Sequence, residues 1–389
     1  MIAGQARTLI VEGWRFFAHS YAVVNQWQLL ALMRRGDIAV KVRDAPLYDR
    51  TWQPQDGLFD AQTEQMLKRI EIAAPSESAD ATLRIVYPFD FSLSHSRRTA
   101  VFATLENQVI RKDQMSSLRD YERLQFMAPP SELKIVTPSR WSAEGFHREG
   151  FAAKQVAIVP HGIEPSVFHP APEEREQIRR ELRLGERDLV FLSVGSMTQN
   201  KGIDVLLKAF AEISRKISHA RLILKGLDSL YRSQDLVRKI LETLPPEDAQ
   251  LVVNRSVYFG RAFSHRQTAR LYRAADVYVS PYRAEGFNLP VLEAAASGLP
   301  IICTGGGATD DFVTDDFAKR IQSRKVSVWV NGQELFGLEP NLQHLTDLML
   351  SAAQDVSWRE RAGELGSFHV KSNYTWDHVV AALVENLFD

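Results

Sequence analysis

At 389 residues, 45% of them hydrophobic and including 20 Phe, 7 Trp and 10 Tyr, the chain carries apolar mass for two packed cores rather than one ordinary α/β domain. Its 47 basic and 48 acidic residues leave a net charge of −1 with no long run of either sign, so neither nucleic acid nor an anionic membrane is demanded as a partner. Cys303 is the only cysteine, which excludes a disulfide framework and a cysteine-based metal site.

No N-terminal basic–apolar–small pattern marks a signal peptide, and no run of about 18 apolar residues marks a membrane span. A cytoplasmic protein is expected, with peripheral membrane contact left open. Thr8–Glu12 reads as a first strand, and Ser20 as the cap of a helix over Tyr21–Arg35 that Gly36 ends. Trp27 and Arg34-Arg35 on that helix allow a membrane-face reading, and a buried-face tryptophan with a basic helix end is the favoured one. Ile38–Val42 follows as a strand, so strand, helix and strand form a parallel βαβ unit. A helix is placed near Ala61–Ile72, then strands at Leu83–Tyr87, Thr99–Thr104 and Leu133–Val136, a helix at Ser139–Glu149 and a strand at Gln155–Val159. The Pro-rich run from Pro160 to Pro172 is the expected domain boundary.

Beyond a charged helix at Glu173–Leu184, the alternation restarts with a strand at Leu189–Val194 and a helix at Ile203–Ile217. Strands at Arg221–Leu224 and Val257–Phe259 and helices at Ser233–Leu244 and Ser264–Ala274 continue it. Asn331-Gly332, between Val326–Val330 and Gln333–Phe336, predicts a two-residue hairpin. The tail from Leu342 is helical and ends in Trp376–Leu387.

The most informative stretch runs from Asp276 to Gly298. Asp276–Ser280 is β-branched and aromatic, as a buried strand should be. Pro281 stops it, Pro290 suits a first helical turn, Asn288 or Leu289 caps the helix, and Gly298 stands where a C′ glycine belongs. Amides of Gly286, Phe287 and Asn288 then stand at a helix N-terminus beyond a strand's carboxyl end, a place suited to phosphate. Glu285 and Glu293 frame it, and carboxylates beside an anion site suit a ligand bearing both phosphate and sugar hydroxyls.

This stretch, Glu285-Gly-Phe-Asn-Leu-Pro with Glu293 eight residues on, resembles the signature of the family 4 retaining glycosyltransferases. Gly195-Ser-Met-Thr-Gln-Asn-Lys201-Gly202 resembles that family's phosphate loop, and Phe259-Gly260 its base-holding segment. Thr137-Pro-Ser139 and Val159-Pro-His-Gly162-Ile163 resemble its run into the interdomain linker. The resemblance implies an α/β protein of the GT-B fold, with two Rossmann-like, doubly wound parallel-sheet domains facing a central cleft. Residues 1–168 would bind the acceptor, 169–370 the nucleotide sugar, and a C-terminal helix in 371–389 would cross back to the first domain.

It further implies that Glu293 grips the ribose hydroxyls, while Glu285 with the Gly286, Phe287, Asn288 and Leu289 backbone holds donor sugar and diphosphate. Lys201, with Gly195 and Ser196 in the same loop, would offset charge growing on the leaving group. The family usually has an arginine where Ser196 stands, so Lys225 or Arg261 is expected to supply that charge, or the donor is held differently. The family's first-domain histidine is also missing; Glu106 follows the corresponding strand. Glu106 and His19 are taken as the first domain's site residues, with His95 or Arg97 on the same side. The Gly305–Asp311 loop reads equally as a donor cover or a turn.

No Asp-x-Asp, Gly-x-Gly-x-x-Gly or P-loop pattern occurs. The expectation is therefore a retaining, metal-independent hexosyl transfer from a UDP- or GDP-sugar to a glycan, lipid or protein acceptor. The nucleotide sugar is a co-substrate, and no further cofactor is implied. A nucleotide-sugar epimerase or a non-catalytic nucleotide-binding scaffold of the same fold stands as the alternative.

Overall fold

A computed structural model describes residues 6–49 and 51–388, the Gln125 side chain excepted. The chain divides into two compact units, one of residues 6–162, 329–335 and 375–388, the other of Ile163–Val328 and Phe336–Tyr374. The break falls inside the Pro-rich run.

The first unit contains β1 (Arg7–Gly13), α1 (Ser20–Arg35), β2 (Ile38–Asp44), α2 (Ala61–Lys68), β3 (Ala81–Ile85), β4 (Thr99–Phe102), α3 (Leu118–Phe126), β5 (Leu133–Thr137), α4 (Arg140–Arg148) and β6 (Val156–Ile158). Its strands form one sheet in the order β2-β1-β3-β4-β5-β6, with every adjacent pair parallel. Leu9, Ile10 and Val11 are all buried, as both faces of a helix-covered parallel sheet require. The strand order turns back between β1 and β3, so the loops leaving those two strands diverge and open a crevice at their carboxyl ends.

The cap of α1 is His19 rather than Ser20: its Nδ1 accepts the Tyr21 amide at 3.2 Å. Gly36 ends the helix with φ 75°, the left-handed turn a C′ glycine supplies. Trp27 is buried edge-to-face on Phe59, so its apolar face serves the core.

The second unit contains α5 (Pro172–Glu181), β7 (Leu189–Val194), α6 (Ile203–Lys216), β8 (Ala220–Lys225), α7 (Asp228–Tyr231), α8 (Ser233–Leu241), α9 (Pro246–Arg255), β9 (Ser256–Phe259), α10 (His265–Ala274), β10 (Val277–Ser280), α11 (Leu289–Ala296), β11 (Ile301–Thr304) and β12 (Ala318–Ile321). Next come the strands β13 (Ser323–Val330) and β14 (Gln333–Pro340), then the helices α12 (Leu342–Gln354) and α13 (Val356–Asn373). Helix α14 (Trp376–Phe388) groups with the first unit, where it packs on α1 and pairs Asp377 with Arg34 at 2.7 Å. β13 and β14 pair through a turn whose Asn331 and Gly332 both have positive φ, as a two-residue hairpin needs.

The second unit's sheet runs β12-β11-β10-β7-β8-β9, all parallel where paired. Three strands wind outward from β7 and three the other way from β10, the doubly wound order whose reversal lies between β7 and β10. Segments 195–202 and 281–288, leaving these two strands, are therefore neighbours although some 80 residues apart in sequence.

Candidate functional site

The two loops are locked together by backbone. Gly202 has φ 65°, and a Cβ there would lie 1.8 Å from the Pro281 carbonyl oxygen, so only glycine lets the loops touch. The Asn200 carbonyl accepts the Arg283 amide at 2.6 Å and the Ala284 amide at 3.2 Å. Arg283 then spans the junction, bound to Asp204 at 2.6 Å and to Glu339 at 2.9 Å. These contacts aim Lys201 Nζ at Glu285 Oε1, and the two form an ion pair whose carboxylate side chain is only 6% exposed.

Beside this pair, Asn288 stands at the N-cap of α11 with φ 73°, but its side chain does not cap the helix. Its Nδ2 instead donates to Ser280 Oγ at 2.9 Å, tying the helix start to the end of β10. Leu289 and Pro290 open the helix, and Gly298 closes it with φ 86°. Phe287 stacks on Phe312 at 4.7 Å, holding down the segment that includes Gly286.

One turn into α11, Glu293 is buried and accepts the Tyr272 hydroxyl at 2.8 Å. Burial pushes its pKa from 4.5 up to about 7, against the Tyr272 hydrogen bond, which favours the carboxylate. The folded chain therefore binds the proton more tightly than the unfolded one between those values, and this group's stability contribution falls as pH rises from 4.5 to about 7. Glu293→Gln is expected to flatten that fall, read as melting temperature at pH 5 against pH 7.5. An unchanged slope would remove Glu293 as its source.

The other residues expected around a diphosphate gather at the ends of β7, β8 and β9. The Gly195 amide donates to the Lys225 carbonyl at 3.0 Å, so the Ser196 loop and Lys225 are side by side. Ser196 Oγ lies 2.8 Å from Thr198 Oγ1, and its carbonyl accepts from Ser233 at 2.6 Å. Lys225 is 7% exposed and forms no ion pair among the described residues. Its Nζ donates to the Gly226 carbonyl and lies 5.0 Å from the Phe263 ring, which Arg261 also faces at 5.1 Å. Burial first, then Arg261, lowers its pKa to about 8, while Asp228 opposes the shift. Gly260 is needed at this edge, because a Cβ would meet Asp228 Oδ2 at 1.6 Å.

The Gly305–Asp311 segment is a fastened turn. The Gly306 amide donates to Asp310 at 2.7 Å, and a side chain on Gly307 would strike the Tyr282 hydroxyl. In the first unit, His19 and Glu106 follow the carboxyl ends of β1 and β4, as expected. His19 sits among Trp14, Phe17 and Trp52, and burial lowers its pKa to about 4, leaving it neutral at pH 7. Glu106 acts electrostatically on Tyr21, Tyr87 and Arg111. His95 and Arg97 do not share that side: they precede β4, where the Arg97 amide bonds Ala79 before β3, at the sheet's amino edge.

Tyr272 and Arg283 escaped sequence reading. Tyr272 carried no motif, and Arg283 lay inside the informative stretch but reads as an ordinary loop cation until Asp204 and Glu339 are beside it.

Two Rossmann-like units with six-stranded, all-parallel sheets define the GT-B fold, and solved structures align over nearly the whole chain. Sucrose-phosphate synthase from Thermosynechococcus elongatus aligns with TM-score 0.69 at 17% identity, covering 97% of this chain and 98% of that one. Anabaena HepE in complex with UDP and glucose aligns with TM-score 0.67 at 13% identity, covering 98% and 99%.

Residues 174–327 match the family described as glycosyl transferases group 1. Over that stretch the chain is similar to the group 1, family 4-like glycosyltransferases. Among curated relatives, the lipopolysaccharide 1,2-N-acetylglucosaminetransferase of Salmonella typhimurium is 24% identical over 260 residues, 67% of this chain. A GDP-mannose-dependent phosphatidylinositol monomannoside mannosyltransferase of Mycobacterium tuberculosis is 25% identical over 242 residues, 60% of this chain. The match spans 63% and 56% of those relatives' own lengths.

Proposed function

We propose that this chain is a retaining hexosyltransferase that takes a UDP- or GDP-sugar in its second unit and passes the sugar to a hydroxyl acceptor held by its first. The observation that carries the reading is the Lys201–Glu285 ion pair at the α11 N-terminus, placed at the strand-order reversal with Glu293 one turn away. Relatives named for N-acetylglucosamine and mannose transfer, and a structural neighbour holding UDP and glucose, support it.

In this reading Glu293 accepts both ribose hydroxyls, Glu285 and the Gly286–Leu289 backbone hold the sugar and diphosphate, and Lys201 faces the diphosphate. As the glycosyl C–O bond breaks, negative charge builds on the departing phosphate, and fixed cations stabilise it most in a water-poor site. The acceptor oxygen bonds the anomeric carbon on the same face, and its proton passes to the leaving phosphate oxygen. Lys201 and Lys225 are assigned the charge work, with no bound metal. A thermal-shift panel of nucleotide sugars, followed by acceptor-dependent release of UDP or GDP, tests the assignment. No shift with any nucleotide sugar would remove the donor, and turnover without an acceptor would move the reaction to epimerisation.

Lys225→Met should stabilise the ligand-free chain, since a buried cation gives way to an apolar side chain of similar length. The same change should weaken UDP binding about tenfold at pH 7, a typical loss for one charged hydrogen bond. In the unsubstituted protein that affinity should fall as pH rises through about 8, where Lys225 loses its proton. Calorimetric titration at pH 6.5 and 9 decides it: equal affinities would clear Lys225 of the role.

No helix among the described residues is long and apolar enough to cross a membrane. For peripheral contact we assign α3 and its end, where Leu118, Phe126 and Met127 are 55%, 87% and 58% exposed beside Arg119 and Arg123. Co-sedimentation with phosphatidylglycerol-containing vesicles should drop in Phe126→Ser, and failure of the unsubstituted chain to sediment would withdraw the assignment.

A further inference from the structure

The crevice of the first unit holds a wall of aromatic rings that the donor chemistry does not use. Residues 45–49 and 51–55, which follow β2, are fastened over the β1 loop: Trp14 Nε1 donates to the Pro46 carbonyl at 2.9 Å and the Gln55 amide to the Phe16 carbonyl at 2.6 Å. Fastened in this way, the segment presents Tyr48 and Trp52. Trp52 packs on Phe17 at 5.0 Å and edge-on to Trp14 at 5.8 Å, while Tyr48 lies 5.7 Å from Tyr87 and 6.2 Å from Trp52. Edge-to-face packing of this kind fixes ring orientation before any ligand arrives. Tyr48 remains 55% exposed, and Tyr87 and Trp52 are partly exposed.

Three of the cations nearby are already paired. Arg15 holds Asp44 at 2.7 Å, Arg111 holds Asp113 at 3.0 Å, and Lys68 holds Asp56 at 2.9 Å. A phosphate would find these three cations already committed to carboxylates. An acyl chain would want an enclosed aliphatic groove, whereas this wall has phenol hydroxyls on it and Glu106 acting on Tyr87. A neutral ring with one apolar C–H face and polar edges fits all three features: the rings take the face, and the phenols and carboxylate take the hydroxyls.

We propose that this wall is a saccharide subsite and that the acceptor presents an uncharged pyranose ring to Tyr48, Trp52 and Tyr87. The proposal rests on the glycosyltransferase reading and names its acceptor class. Saturation-transfer NMR on the full chain with methyl α-glucoside, methyl α-mannoside, methyl α-galactoside and methyl N-acetylglucosaminide tests it, alongside a UDP titration of the same samples. At least one glycoside should take up saturation at its ring-face protons. Its affinity should fall tenfold or more in Tyr48→Ala and in Trp52→Leu and hold within threefold in Tyr48→Phe, with UDP affinity unchanged throughout. Because Tyr48 is exposed, its alanine variant stays informative even if Trp52→Leu folds poorly. No glycoside signal while UDP binds, or equal signal in all variants, overturns the proposal and leaves the donor reading standing. Glycoside binding lost in Tyr48→Ala without any UDP binding supports the subsite and overturns the donor reading instead.

Discussion

Lys201→Ala is expected to lower single-turnover transfer about a thousandfold, the upper end of what one removed electrostatic donor costs. Two effects add. The departing diphosphate loses a cation, and Glu285, buried against Lys201, loses that counter-charge beside an anionic ligand. The pairing predicts a non-additive cycle: because each single change removes the other residue's counter-charge, Lys201→Ala with Glu285→Ala should be less damaging than the two losses multiplied. UDP affinity and transfer rate, measured for both singles and the double, complete the cycle. Transfer within fivefold of the parent in Lys201→Ala would end its role in the chemistry.

Gly202→Ala should be the most damaging single-methyl change in the second unit. Left-handed backbone costs a non-glycine residue about 1–2 kcal/mol, and the new Cβ would also lie 1.8 Å from the Pro281 carbonyl oxygen, so the backbone must move. Together these should reach about 3 kcal/mol or more, among the larger values for one substitution. Gly36→Ala is the internal control: it has φ 75° but nothing within 4 Å of the added carbon. It should lose only about 1 kcal/mol in urea unfolding. If the two variants unfolded at the same urea concentration, the collision argument would fail.

Much of this architecture was legible because parallel strands buried on both faces read as continuous apolar runs. Leu189–Val194 was predicted with its observed bounds for that reason. α3 was passed over although Leu118, Tyr121 and Leu124 recur at helical spacing and Ser117 caps it. β12 was missed because its four residues, Ala-Lys-Arg-Ile, hold two charges. α9 did announce itself, with Pro246, Glu247 and Asp248 in its first turn, and was passed over.

For the site, Glu285 and Glu293 could be named from the local strand–loop–helix pattern, and Lys201 from the resemblance of its loop to the family's phosphate loop. The Lys201–Glu285 bond could not, because it depends on which strands are neighbours, and strand order is not written in local periodicity. His95 shows the same limit in the opposite direction: it looked adjacent to the crevice along the sequence, yet a strand's length separates the sheet's two edges.

The junction of the Gly202 and Pro281 loops has a consequence for how the protein folds. β7, β8 and β9 can form a compact half-sheet in sequence order, but the 195–202 loop gains its partner only when β10 docks beside β7 across the intervening chain. Contacts of such sequence separation form late, since loop closure precedes any reward from packing. Competence to bind donor should then arrive last during refolding. A nucleotide held by both loops would slow unfolding by clasping the seam at which the second unit's sheet would otherwise first come apart.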